Sequence, residues 1–187
     1  PYKKGKHYTG KEHSWDEGFG YWGAAAHGAT LSARQNYDIA KKKDMGAADA
    51  NGDGVVNLKS EMNYAHAYYA SAFDRGGVTD YYNTITQAFI DGRQIITDAK
   101  GQALSSSARS ELKGKARIIC SNWEKVIAEA VFKYAGSVYG DLEKIKASPG
   151  DAKLYRKYVK HWGELKGFAL SLHTSGQNLG EVGVKMD

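Results

Sequence analysis

Cysteine and proline are almost missing from this chain of 187 residues: Cys120 is the single cysteine, and Pro1 and Pro149 are the two prolines. One cysteine excludes an intrachain disulfide, which suits a cytosol and is also compatible with a periplasm. So little proline leaves long stretches in which helices can run without interruption. No apolar run approaches the roughly 18 residues that would cross a bilayer. Charge of one sign is scarce too, because 26 basic residues against 21 acidic ones leave +5. With that small excess and no basic helical stripe in view, no nucleic-acid partner is expected.

What is present is ordinary globular material. Hydrophobic residues at 42% and charged residues at 25% exclude intrinsic disorder and fibrous repeats. The length suits one domain and lets roughly 70% of the unfolded surface be buried without disulfide staples. The chain opens at Pro1 with no initiator methionine or signal peptide. It reads as a piece of a longer protein whose targeting segment is out of view.

Periodicity predicts helices along most of the chain. Residues 1–11 carry Lys3, Lys4, Lys6 and Lys11 and read as a basic tail or lead-in. Over 13–22, Trp15, Phe19 and Trp22 recur at helical spacing, while Gly18, Gly20 and Gly23 weaken that helix in isolation. Residues 24–57, rich in Ala, Gly, Asn and Asp, read as a long loop insertion, the kind of segment that binds something or stays mobile. Four clearer helices follow. Residues 58–75 align Met62, Ala65, Tyr69 and Phe73 and stop at Gly76-Gly77. Residues 79–99 start from Thr79 as a cap and repeat Tyr82, Ile85, Phe89 and Ile96. Residues 105–145 carry Leu112, Ile119, Trp123, Ile127 and Tyr134 along one side. Ser148-Pro149-Gly150 then breaks the chain, and Asp151 caps a last helix to about 173, striped by Tyr158, Leu165, Phe168 and Leu172. The expected fold is all-α, a single up-and-down helical bundle over 1–187 with one large loop insertion.

The sharpest motif is Asp49-Ala50-Asn51-Gly52-Asp53-Gly54-Val55-Val56-Asn57. Oxygen-bearing side chains at loop positions 1, 3 and 5, Gly at 6, an apolar residue at 8 and Asn at 9 match the first part of a calcium loop. Alternate residues of a tight turn point inward, Gly54 permits the bend, and hard oxygens replace the ion's water shell. The candidate calcium ligands are Asp49, Asn51, Asp53, Val55 through its carbonyl, and Glu61. Glu61 falls one residue beyond the usual twelfth position, where Ser60 stands. The pattern therefore predicts a single calcium loop leading directly into a helix, rather than a paired EF-hand. An acidic turn that binds nothing is the plain alternative.

Two other patterns echo each other: His13-Ser14-Trp15-Asp16 and His161-Trp162-Gly163-Glu164 are both His-x-x-acid. Residues three apart share a helix face, so an imidazole and a carboxylate can grip the same ion. Di-iron bundles combine single Glu residues on two helices with acid–His pairs on two others, and this inventory is similar, with the order inside each pair reversed. His13, Asp16, Glu17, Glu124, His161 and Glu164 form the candidate set for a second metal, iron or zinc. A structural hydrogen bond within each pair is the alternative. His66 is a weaker candidate, the cluster around Tyr64, Tyr68, Tyr69, Tyr81 and Tyr82 reads as packing, and Cys120 reads as a buried inert thiol. No Ser-His-Asp order, phosphate loop or dinucleotide fingerprint is present.

Four segments together resemble a known bacterial family. The stretch from Glu12 through His13-Ser14-Trp15-Asp16-Glu17 to Gly23 resembles the "HxWDEAFGYxG" signature of the domain-of-unknown-function family four-eight-five-six. Asn57 to Tyr64, Asn122-Trp123-Glu124 and His161 to Phe168 follow in the same order. That family is similar to the imelysin-like proteins, which are helical, exported to the periplasm or outer membrane, often lipid-anchored and tied to iron uptake. Their marker is Gly-x-His-x-x-Glu on a bundle helix. Here the residue two before His13 is Lys11, and Asp16 and Glu17 lie three and four residues after it; His161 and Glu164 keep the His-x-x-Glu spacing.

Residues and resemblance together give the expectation of an exported, imelysin-like metal-binding protein, located in the periplasm, in the outer membrane or outside the cell. Ca²⁺ would be structural, and the second set would take iron or zinc in a role in transition-metal uptake. Membrane attachment would come through a missing N-terminal segment. The rival readings are a metal-dependent, peptidase-like hydrolase using Glu17 as base beside His13, and a calcium-stabilised structural or surface interaction protein.

Overall fold

A computed structural model of the chain describes residues 2–175. Among them run seven α-helices and no strand: α1 Gly10–Trp22, α2 Ala33–Ala40, α3 Met45–Ala48, α4 Ala65–Asp74, α5 Tyr81–Asp98, α6 Ser106–Ala147 and α7 Ala152–Ser175. The protein is all-α, as its periodicity predicts. No helix of the described residues is long and apolar enough to cross a membrane. The chain divides into two compact units, Pro1–Trp123 and Glu124–Asp187.

In the first unit the lead-in is more than a tail. Tyr2 bridges to Thr9, and Thr9 caps α1 in a capping box: its hydroxyl accepts the Glu12 N–H at 3.2 Å while the Glu12 carboxylate accepts the Thr9 N–H at 2.6 Å. That reciprocal pairing satisfies donors which the helix start would otherwise leave to water. Helix α1 packs on α5, and α5 on α4. Trp22 is fully buried at this junction. Its indole N–H donates to the Thr86 hydroxyl at 3.0 Å, and its ring meets Trp123 edge-on at 5.1 Å.

Gly92 makes the α1–α5 approach close enough for this packing. A Cβ there would lie 2.1 Å from the Trp15 ring, and Trp15 is itself tethered by its N–H to the Phe89 carbonyl at 2.8 Å. The Gly92→Ala variant is expected to lose about 2 kcal/mol through overpacking, despite alanine's better helix propensity. Urea denaturation checks it: a midpoint at or above the parent's would show that the ring yields freely.

The fold departs from the sequence expectation in three places. Residues 24–57 are not one structureless loop, since they contain a 3-10 turn (Gly28–Thr30), α2 and α3. A second capping box starts α2, Ser32 with Gln35, and the Asp44 carboxylate caps α3. Ile39, Ala48 and Met62 form a small buried core under this segment, with Leu31, Ala47 and Val56 packed against it. Second, the helix expected over 58–75 begins at Ala65, because Tyr64 is extended and Ala65 stands at φ 45°. Residues 58–60 form a turn instead and 62–64 run on without regular structure, where Met62 still reaches the small core. Third, Thr79 does not cap α5. Asp74, at the end of α4, does so: its carboxylate accepts the N–H groups of Tyr81 and Tyr82 at 3.0 and 2.7 Å, and the Thr79 hydroxyl at 2.7 Å.

In the second unit, the later part of α6 and α7 meet through Tyr134, stacked on Phe168 at 5.7 Å, and through Asp141, bonded to His161. The two pairs run in opposite directions along the chain, the register of an antiparallel helical hairpin. Asp151 caps α7 as expected, accepting the N–H groups of Lys153 and Leu154.

Candidate metal centre

The 49–61 segment closes on itself through its side-chain oxygens. Asp49 accepts the N–H of Asp53 at 3.2 Å and of Gly54 at 2.9 Å. Asn51 accepts the Asp53 N–H through its Oδ1 at 3.0 Å and donates from Nδ2 to Asp53 Oδ2 at 2.9 Å. Asp53 in turn accepts the Val55 N–H at 2.8 Å. Gly54 sits at φ 80°, where an L side chain would be strained. The oxygens at the first, third and fifth loop positions are thus turned onto the amides of their own turn.

Glu61 ties the two ends of the loop together. Its carboxylate accepts the Ala50 N–H at 3.2 Å and the Asn57 N–H at 2.7 Å, and the side chain is buried. Val56, the apolar eighth position, packs against the small core, whereas Val55 is exposed. Ser60 joins the segment to the body, its carbonyl accepting the Ala26 N–H at 2.7 Å. The loop is therefore a closed oxygen-rich turn moored at its exit. By type the donors are those a hard divalent cation takes, although Asp49, Asp53 and Glu61, turned onto backbone amides, do not gather into a group able to hold a metal ion. Each carboxylate oxygen engaged by an amide keeps a second lone pair, and carboxylate, carboxamide and carbonyl oxygens are the calcium ligand types.

The second candidate set is distributed. His13 pairs with Glu17 one turn on at 3.3 Å, on an accessible part of α1. Asp16 pairs with Arg93 at 2.8 Å. Arg93 also binds Glu12 at 2.8 Å and the Thr97 hydroxyl, so the guanidinium bridges two carboxylates of α1. The Thr9 backbone N–H holds the Glu12 carboxyl below its usual range, against the opposing push of burial, with Thr97 and Arg93 adding to the lowering. These residues all belong to the first unit.

His161, Glu164 and Glu124 belong to the second. His161 Nδ1 lies 2.5 Å from the Asp141 carboxylate, and Asp141 is buried with Lys157 at 3.6 Å. Burial pushes the Asp141 carboxyl up. The His161 hydrogen bond and charge outweigh it, with help from Lys157 and Lys144, and hold it below the usual aspartate range. Glu164 lies 4.0 Å from Lys160 through Oε1, while its Oε2 is buried without a hydrogen-bond partner. Glu124 is buried. Among the described residues no three His, Cys, Asp or Glu side chains gather into a group able to hold a metal ion.

Two further residues behave differently from expectation or beyond it. Cys120, read as a buried thiol, is exposed on α6, because the buried side at that turn is taken by its neighbour Ile119. Asp141 went unmarked in the sequence although it is the partner of His161. Compared with known proteins, no family model, curated protein or solved structure matches the chain.

Proposed function

We propose that this is an exported, imelysin-like metal-binding protein whose 49–61 segment is a single structural calcium loop. The observation that carries the reading is the closed oxygen-rich turn: Asp49, Asn51 and Asp53 curl onto one turn, and buried Glu61 locks its ends. Asp49, Asn51, Asp53, the Val55 carbonyl and Glu61 would supply the oxygens. Two aspartates and a glutamate in one short segment repel each other without a cation, so an ion there favours the folded loop over the open one. The work of the ion is mechanical: it holds the turn that carries Val56 and Met62 into the core with Ile39 and Ala48.

Calcium is expected to raise the melting temperature. A ligand at 100 times its dissociation constant stabilises the native state by about 2.7 kcal/mol, which for a chain of this size is roughly 5–10 °C. Scanning calorimetry with Ca²⁺ and with a chelator checks it, and Asp53→Ala should abolish the difference. Equal melting in both buffers would end the calcium reading.

A second reading, a transition metal at His161, has one observation in its favour. Metal-bound imidazoles usually give their other ring nitrogen to a carboxylate, and Asp141 holds His161 Nδ1 in that manner. The buried Oε2 of Glu164, three residues on, has no hydrogen-bond partner. Iron or zinc titrated into the protein should bind more weakly to His161→Ala, and undiminished binding would remove this role.

A further inference from the structure

The net charge of the whole chain conceals a sorted surface on α7. Leu154, Tyr158, His161, Leu165, Phe168 and Leu172 form its shielded side. About a quarter turn or more away lie apolar residues left open among the described residues: Tyr155 is 60% exposed, Val159 47%, Trp162 49% and Leu170 52%. They recur at intervals of four, three and eight residues, so they form one strip, about 22 Å long at 1.5 Å per residue. Beside that strip Lys153, Arg156, Lys157 and Lys160 stand on the outward side, all exposed. Lys157 leans towards Asp141 and Lys160 towards Glu164; Lys153 and Arg156 form no ion pair among the described residues.

Three kinds of occupant suit an exposed apolar strip, and charge separates them. A second copy laid face to face would bring two cationic edges together, which is repulsive. A polyanion such as nucleic acid or an acidic protein would satisfy the basic edge and leave the strip of Tyr155, Val159 and Trp162 unexplained. An anionic bilayer surface satisfies both, since acyl chains accept the strip while phosphates accept the lysines and arginine. Trp and Tyr are also the side chains that suit a boundary with one wet and one apolar side. Next to the strip, Val131, Trp162, Leu165, Lys166 and Leu170 line an apolar cleft of about 440 Å³ with Lys166 among them, a shape that would take a hydrocarbon chain below an anionic head.

We propose that the outward face of α7 docks on an anionic lipid surface. The orientation follows from the helix: the apolar strip enters the headgroup region, and the edge from Lys153 to Lys160 lies along the phosphates. This is a surface of the second unit and does not depend on the calcium loop.

The test uses the whole chain and vesicles of phosphatidylglycerol mixed with phosphatidylcholine, set against vesicles of phosphatidylcholine alone. Sedimentation should show binding to the anionic vesicles at low salt and little to the neutral ones. Trp162 emission, isolated by difference against Trp162→Phe, should shift to the blue. Each basic residue near an anionic surface is worth roughly a fivefold change in partition, so Lys153→Glu with Arg156→Glu should weaken binding by more than tenfold. Val159→Asp, at a position 47% exposed, should weaken it comparably while melting as the parent does. Equal binding to neutral vesicles, or no binding to anionic ones, would overturn the proposal. So would loss of binding on charge reversal but not on Val159→Asp, because that marks a polyanion site. Self-association that Val159→Asp dissolves would overturn it as well, in favour of a second copy.

Discussion

The Asn63→Ala variant is expected to lose about 3–5 kcal/mol of stability, the largest single effect anticipated for a polar residue of the first unit. Asn63 is buried, and its carboxamide makes four hydrogen bonds. Oδ1 accepts the Ala25 N–H at 2.8 Å and the Tyr82 hydroxyl at 2.6 Å, and Nδ2 donates to the Asn36 carbonyl and side-chain oxygen at 3.0 and 2.9 Å. Asn36 passes the chain of bonds on to the Gly28 carbonyl at 2.8 Å. Removing the carboxamide strands the Ala25 N–H and the Tyr82 hydroxyl, and takes away a donor from Asn36. Each buried polar group left unpaired costs about 1–3 kcal/mol, far more than the loss of one bond in isolation.

The contrast that makes this result diagnostic is Tyr82→Phe. It deletes one donor cleanly and leaves Asn63 Oδ1 with its Ala25 partner, so about 1 kcal/mol is expected. Thermal melts of the two variants should differ by several degrees, since each kcal/mol moves a chain of this size by roughly 2–4 °C. Asn63→Ala melting no lower than Tyr82→Phe would show that water replaces the carboxamide and that the network is not what holds residues 24–40 to the body.

The Asn63 network also shows where sequence reading stops. Long helices were legible because their apolar stripes repeat over several turns, as in α5 and α6, where Tyr82, Ile85, Phe89, Ile119 and Ile127 all came out buried. The Asp151 cap was legible because its contacts are two and three residues away. Asn63 and Asn36 are 27 residues apart, and nothing in the composition of an Asn-rich stretch says which carboxamide goes inside. Asp74 was hidden as the cap of α5 for another reason: the capping acid comes from the preceding helix, while the local candidate, Thr79, donates to it. Ser32 with Gln35 is a capping box that the sequence itself carries, but the helix behind it is only eight residues long and its apolar stripe is too short to stand out. Asp141 and His161 lie seven residues before and eleven residues after the Ser148-Pro149-Gly150 break, an offset of about one helical turn, so the break announces a hairpin without announcing this pairing. The calcium motif, being contiguous, was legible in its residue types, whereas the role of Glu61 in locking Ala50 to Asn57 needed the folded backbone.

That lock supplies the second large effect. Glu61→Ala is expected to cost about 3 kcal/mol, because a buried carboxylate accepting two amides makes charge-assisted bonds and its loss strands the N–H groups of Ala50 and Asn57. Calcium turns this stability experiment into a test of what the carboxylate does. If Glu61 contributes oxygen to the ion as well as to the amides, Glu61→Ala should lose both the 3 kcal/mol and the calcium-induced rise in melting temperature. Glu61→Gln is the sharper variant. It keeps one oxygen for an amide but sets its NH₂ group towards a second N–H donor, and it removes a negative charge from the segment shared with Asp49 and Asp53. In chelator its deficit should be smaller than that of Glu61→Ala, since part of the lock survives and the carboxylates repel less. With Ca²⁺ the deficit of Glu61→Gln should widen: a neutral amide is a poorer ligand, so the parent should gain far more than Glu61→Gln does. Calorimetric titration reads the affinity directly, and a drop of tenfold or more is expected for Glu61→Gln. Unchanged affinity in that variant would confine Glu61 to bracing the loop, leaving Asp49, Asn51, Asp53 and the Val55 carbonyl as the whole protein contribution to the ion.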